Sequence, residues 1–420
     1  MRARDGPRGP LRDHRLRLIA SRPGTPVVRC AAALSHTSDA DLAAAEAADA
    51  VGVDLGTDGD LVVVFVGAEQ ADALEAVGAA VAARLAPTVL VGAVAQGVIG
   101  PGEEVESGPA VAVFAAAGDG RLAPFRAWAM RPPEGGLVVA GWPDTRPGDL
   151  TLVLADPFSF PATEVAARLG RERPGQPLVG GLVTGGPGHS ALLLDDRVHR
   201  DGAVGVVLHG LGADGVVSQG CRPLGSPLTV TAAQHDRILE LGGEPATLRL
   251  HELLAEVADG DRDRLQRGGL QIGLVVDEVR DAYGPGDFLV RGVRGIDPDA
   301  GALVITDLAR VGQTVQFQVR DAAAADHDLD ARLEGRDPAA GVLLFTCNGR
   351  GRSLFGHADH DVQAVEAWLE APVAGAFCAG EIGPVGSGSY VHGFTASMVV
   401  LPRAQPGPTG TERKGVTRRV

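Results

Sequence analysis

Aromatic side chains make up only 4% of the 420 residues, against a hydrophobic share of 45%. Val, Leu and Ala must therefore fill the cores of a chain long enough for two or three domains. Cationic charge is outnumbered: the formal net charge is −15 and the pI near 5.2. Neutralising phosphates needs a basic surface, so nucleic acid and anionic membrane are excluded as partners. Long apolar runs are missing as well. No 18-residue apolar run free of charges exists to span a bilayer, and the N-terminus lacks the apolar core of a signal peptide. A cytoplasmic protein without membrane insertion is expected. Cysteine is limited to Cys30, Cys221, Cys347 and Cys378, far apart and without close metal-ligand spacing. That usage implies a reducing compartment and no metal or other cofactor. Lysine, tyrosine, isoleucine and asparagine are all rare, and Asn348 is the only asparagine in the chain.

The densest stretch is 341–401. An apolar run at 342–346 has strand length and ends in the polar turn 347–352. A helix is expected at about 359–369, with Val362, Val365, Trp368 and Leu369 at helical spacing and Asp359 as N-cap. A second strand, 373–379, runs into Gly380 and Glu381, and a third is expected from His392 to 401. Strand, helix, strand makes a βαβ unit with parallel strands and a right-handed crossover. Asn348, Arg350 and Glu381 then share the strand-end edge where open α/β sheets bind ligands. An antiparallel third strand would bring His392 to the same edge.

The lone Asn348 suits a left-handed turn or a two-way hydrogen-bonding amide. Arg350 and Arg352 suit a carboxylate or phosphate, while a structural Arg350–Glu381 pair is the competing expectation. A ligand with both an ammonium and a carboxylate group would use such a pair. Cys347 and Cys378 beside His392 allow a nucleophilic Cys/His pair, but small buried strand cysteines are the commoner case. No catalytic residue is assigned. The glycine loop 380–388 is no phosphate cradle, because Pro384 interrupts it, lysine is missing and a strand follows. The His and Asp residues of 357–361 surround a helix start and form no metal site.

Earlier in the chain, strands are expected at 28–34, 61–66 and 88–95, with helices ending near 50 and at 85. Gly92 to Gly100 aligns without gaps on Gly375 to Gly383. A third copy runs from strand 150–154 through helix 163–169 to the glycines 180, 185 and 186 and strand 203–208. The expected fold is α/β with mixed α+β character: repeated β-α-β-β units form mixed sheets flanked by helices. Strands at 270–276, 288–292, 302–306 and 314–319 break this pattern. The last alternates Val315, Phe317 and Val319 with glutamines, as a strand with one wet face would. Two associated domains follow, 28–220 and 221–402, between a disordered extension 1–27 and a disordered tail 403–420.

Three stretches carry a family resemblance. LLFTCNGRGRSLFG from 343, GAFCAGEIGPVG from 375, and His392-Gly-Phe-Thr-Ala resemble the C-terminal FIST domain. So do VQFQVRD at 315–321, which contains Arg320, and Cys221-Arg-Pro-Leu-Gly with Val230-Thr231. Ala33-Leu-Ser, the strand into LVGAVAQG from 90, Glu104-Val-Glu and Leu178-Val-Gly-Gly are similar to the N-terminal FIST domain. Ala93 and Val94 stand where a Gly-Cys-Ser-type sequence is common. The resemblance covers 28–402 and implies a sensory module of signal transduction, binding a small ligand such as an amino acid or related metabolite. Other members are fused to output domains; this sequence would act as a free-standing sensor that passes its state to a protein partner. The expected ligand-binding set is Cys347, Asn348, Arg350, Cys378, Gly380, Glu381, His392 and Arg320. Two other classes stay open: an enzyme using Cys347, Glu381 and His392, and a ligand-free interaction scaffold.

Overall fold

The computed structural model describes residues 28–280, 282–284 and 286–403. The extension 1–27 and the tail lie outside them, except for Arg403, whose guanidinium donates to Glu370 O at 3.2 Å. Among the described residues no helix is long and apolar enough to cross a membrane.

The β-α-β-β units build three mixed sheets on one plan, flanked by helices. The first sheet runs Val28–Ser35, Val111–Gly118, Leu61–Gly67, Val89–Ala95. In the second, Arg121–Met130, Ala203–His209, Leu150–Ala155 and Leu178–Leu182 follow the same order, with Val138–Ala140 added at the outer edge. The third repeats it as Asp214–Gln219, Thr395–Pro402, Ala339–Cys347 and Val373–Cys378. In each, the last two strands are parallel and joined through a helix: Leu74–Leu85, Ala162–Glu172 or His360–Leu369. The hairpin that follows then leaves its own sheet. Val98–Val105 pairs with the third sheet, Leu192–His199 with the first, and Glu381–His392 with the second. The three sheets are thus linked in a ring. The single strand expected from His392 is instead the end of this hairpin, followed by a separate strand from Thr395.

Burial explains the composition. Leu61–Gly67 and Val89–Ala95 are buried at every residue, as strands covered on both faces must be. One face packs on helices Ala40–Leu55 and Leu74–Leu85. The other meets its counterparts in a common interior with Phe65, Leu152, Leu154, Leu343 and Phe345, where the Phe65 and Phe345 rings sit edge to face at 6.0 Å. The aligned glycines have a physical role. A Cβ on Gly92, Gly180 or Gly375 would lie 2.7, 1.9 or 1.7 Å from the carbonyl oxygen of Val64, Val153 or Leu344 on the parallel neighbour. No other residue fits that approach.

Between Asp214–Gln219 and helix Ala322–Leu333 lies an antiparallel barrel. Its ring runs Cys221–Gln234, Thr314–Arg320, Leu270–Val275, Phe288–Asp297, Ala302–Ile305 and Arg237–Leu241, then closes on Cys221–Gln234. Val315, Phe317 and Val319 fill its interior with Ile272, Leu274 and Ile305. The alternating glutamines are not wet, as the alternation suggested: Gln316 and Gln318 are 7% and 2% exposed. Gln271, paired with Gln318, is buried too. Alternation fixes which residues share a face, but not whether water or protein covers it.

Candidate functional site

Cys347 ends its strand in register with Cys378, and the Asn348 N–H extends that pairing by donating to Cys378 O at 2.9 Å. The chain then turns, with Arg350 N donating to Cys347 O at 2.8 Å. The left-handed backbone anticipated at Asn348 falls on Gly351 (φ 54) instead.

Arg350 is fully buried, and its partner is Asp361, not Glu381. Nε and Nη2 hold the two carboxylate oxygens at 2.6 and 2.7 Å. The reason is local. Helix His360–Leu369 starts beneath the turn and presents Asp361 in its first turn. Thr346 Oγ1 donates to the same carboxylate at 2.6 Å and His360 Nδ1 at 3.0 Å. Phe355 stacks on His360 at 3.4 Å, and the guanidinium lies 5.2 Å from the Phe355 ring centre. Burial alone would raise the Asp361 pKa, but the Arg350 charge and these hydrogen bonds hold it well below the usual carboxylate range.

The exchanged Val98–Val105 hairpin brings in a third charged group. Glu104 Oε1 accepts from Val362 N at 3.0 Å, while its own N–H donates to Asp359 Oδ1 at 2.8 Å. Asp359 holds the N-cap position but spends its carboxylate on the hairpin instead of capping the helix. Burial, reinforced by the charge of Asp361, pushes Glu104 up to about 7.

Glu381 opens the other exchanged hairpin and is wholly buried. Its Oε2 accepts from Thr395 N at 3.2 Å and Thr395 Oγ1 at 2.8 Å; Oε1 has no protein partner. Burial raises its pKa to about 8, and the Thr395 bonds only partly oppose that. His392 sits opposite Glu381 in the hairpin. Its Nε2–H donates to Gly383 O at 3.0 Å, and burial lowers its pKa to about 4, so the ring is neutral. Arg320 reaches over from the barrel, donating to Gly349 O and lying 5.1 Å from the Phe394 ring centre. Gly380 is a backbone link: its carbonyl accepts from Leu182 N at 2.8 Å. Burial raises the thiols of Cys347 and Cys378 well above their usual range.

Asn348 Oδ1, Glu381 Oε1, Arg350 Nη1 and Arg320 Nε are all buried atoms without a protein hydrogen bond. Acceptors and donors left open around one loop can be satisfied by a small polar molecule, and leaving them open is costly. Residues 60–244 match the FIST N domain and residues 246–384 the FIST C domain. The chain belongs to the FIST family. FIST domains are in general sensory, ligand-binding domains of signal transduction. Uncharacterized protein Rv0628c of Mycobacterium tuberculosis is 44% identical over 383 residues, covering 89% of this chain and all of that protein. Uncharacterized protein Mb0898c of Mycobacterium bovis is 43% identical over 385 residues, 89% of this chain and 99% of its own.

Sequence reasoning missed four FIST residues at this edge: Thr346, Asp361, Thr395 and, as a charged group, Glu104. Asp361 read as ordinary helix-start chemistry, and Glu104 lies too far along the chain for spacing to connect it. A signal existed in Asp361, an acid within one helical turn of the Val362, Val365, Leu369 stripe. Glu381 also makes the FIST fold sensitive to pH. Its folded pKa of about 8 lies above the reference 4.5, so the folded state holds a proton that the unfolded chain releases. Its contribution is complete below about pH 4.5 and is lost as pH rises towards 8. Unfolding free energies measured by urea titration between pH 5 and 8 should therefore fall with pH, and Glu381→Gln should flatten the slope. An equal slope in the variant would show that Glu381 is already ionised.

Proposed function

We propose that this protein is a sensor in signal transduction, and that an amino acid or related metabolite binds at the edge of Asn348, Glu381 and Arg320. Cys347, Cys378, Gly380 and His392 form its wall on this reading, and Arg350 adds its one open nitrogen. The observation that carries it is the pair of buried acceptors, Asn348 Oδ1 and Glu381 Oε1, beside unpaired guanidinium nitrogens. An ammonium group satisfies the first, its charge displacing the proton that burial keeps on Glu381, and a carboxylate satisfies the second. The free cysteines favour a cytoplasmic setting, and output passes to a protein partner. The common strand order of three sheets supports reading the units as an internal repeat.

Catalysis through Cys347 and His392 draws less support. The thiol is held protonated by burial, and the neutral imidazole has its Nε2 proton committed to Gly383.

A thermal-unfolding screen against amino acids and related metabolites tests the proposal. A ligand at a hundred times its Kd adds about 2.7 kcal/mol of stability. The stabilisation should disappear in Asn348→Ala while that variant still melts cooperatively. A panel without hits, or a hit indifferent to Asn348→Ala, moves the function to protein contact alone.

A further inference from the structure

A cavity of about 680 Å³ lies between the barrel and the third sheet, away from the edge just described. Its walls are strand residues 215–217 with Gln219, the end of helix Ala322–Leu333 with Arg336 beyond it, the turn of the exchanged hairpin at 384–388 with Tyr390, and the barrel loop at Asp277, Arg280, Gly286 and Asp287. Its size is that of a metabolite site, and its lining is mainly polar. In a chain of net charge −15, three arginines converge on it: Arg280, Arg332 and Arg336.

The three are not equally committed. Arg280 is closed into its own loop, with Nη1 at 2.5 Å from Asp287 and Nε at 3.8 Å from Asp277. Arg336 pairs with Asp214 at 2.8 Å, an acid whose side chain is 59% exposed. Arg332 is the least satisfied. Among the described residues its acidic contact is Asp328, 3.4 Å away, at the weak end for a charged hydrogen bond. Asp328 is meanwhile engaged at 2.7 Å by Gln219 N. The fold also makes room for this guanidinium. Gly286 has φ +94, and a Cβ there would lie 2.6 Å from Arg332 Nη2. Glycine is therefore needed for the backbone angle, while the flexible guanidinium packs directly over it.

We propose that this cavity is a second ligand site, specific for a small oxyanion of the phosphate or dicarboxylate class, with Arg332 as its principal contact and Arg336 as the second. A planar, partly exposed guanidinium offers the fork geometry that carboxylate and phosphate oxygens accept. An incoming dianion replaces one long contact to Asp328 and a solvent-exposed pair to Asp214. Among the lining residues the three arginines face two acids, Asp277 and Asp287, both within ion-pair distance of Arg280, which leaves Arg332 and Arg336 as the cations available to a ligand. The site is independent of the Asn348 edge, and its failure would leave that reading untouched.

Isothermal titration calorimetry of the full chain with inorganic phosphate and, separately, succinate tests it at low ionic strength. Saturable binding of at least one probe is expected, and the probe that binds separates a phosphorylated from a dicarboxylate ligand. Losing the charged contact in Arg332→Gln should weaken binding about tenfold or more. The double variant Arg332→Gln/Arg336→Gln should abolish it, and Asn348→Ala should leave it unchanged. Both arginines are partly exposed, so the variants keep the fold, which a melting curve checks. No saturable binding of either probe, or binding undiminished in the double variant, overturns the proposal.

Discussion

Replacing Asp361 with alanine should cost about 3–5 kcal/mol of stability, as removal of one partner from a buried ion pair does. Arg350 would remain fully buried with Nε and Nη2 stripped of the carboxylate that holds them. Nη1 already lacks a protein partner, so the guanidinium would keep almost no compensation. Thr346 Oγ1 and His360 Nδ1 lose their acceptor in the same step. The pair itself contributes much less than this. Arg350→Met combined with Asp361→Leu removes both charges and should recover most of the loss, because desolvating an ion pair nearly cancels its attraction. Urea midpoints at pH 7 for the wild type, the single variant and the double variant check this. A single-variant loss below about 1 kcal/mol, the scale of an exposed pair, would mean that water reaches Arg350.

The second large effect concerns the halves of the chain. Residues 28–220 expressed alone should fail to fold cooperatively, although they contain two of the three units. Strand Leu178–Leu182 would lose its hairpin partner Glu381–His392, leaving an open apolar edge. The Val98–Val105 hairpin would lose the third sheet on which it rests. The common interior would lose Leu343, Phe345, Ala376, Val399 and Leu401, all essentially inaccessible in the full chain. An open edge above a truncated core is an aggregation site. Gel filtration and thermal melting of 28–220 should therefore show aggregates without a sharp transition, and co-expression with 221–402 should restore a soluble pair. A monodisperse, cooperatively melting 28–220 would mean that the hairpin exchange contributes little to stability.

Local pattern reached much of this architecture. The apolar runs at 61–66 and 342–346 are buried strands, as their pattern suggests. The glycine alignment marked positions where a side chain would strike a neighbouring carbonyl. Pairing between distant segments was the illegible part. Nothing in residues 381–392 states that they complete a sheet begun near 150, because a hairpin's own pattern is the same whichever edge receives it. The Gly386 to Gly388 turn accordingly read as loop, and two strands as one. The Arg350–Asp361 pair was hidden for a different reason. Both Asp361 and Glu381 are acids within reach of the same turn, and only the packing of helix His360–Leu369 decides between them. At the candidate edge, residues close in sequence were legible as neighbours, whereas Glu104, supplied by another unit, was not.

The ring of exchanged hairpins also orders events in time. As the chain leaves the ribosome, the Leu178–Leu182 edge is ready long before Glu381 exists to cover it. At about 5–20 residues per second, the intervening stretch of about 200 residues leaves that edge bare for about 10–40 s. The Val98–Val105 hairpin waits longer still for Val373–Cys378. Synthesis therefore passes through a prolonged stage of complete but unpartnered sheets, so the burden on cellular chaperones falls on the nascent chain and lifts only when the last unit emerges.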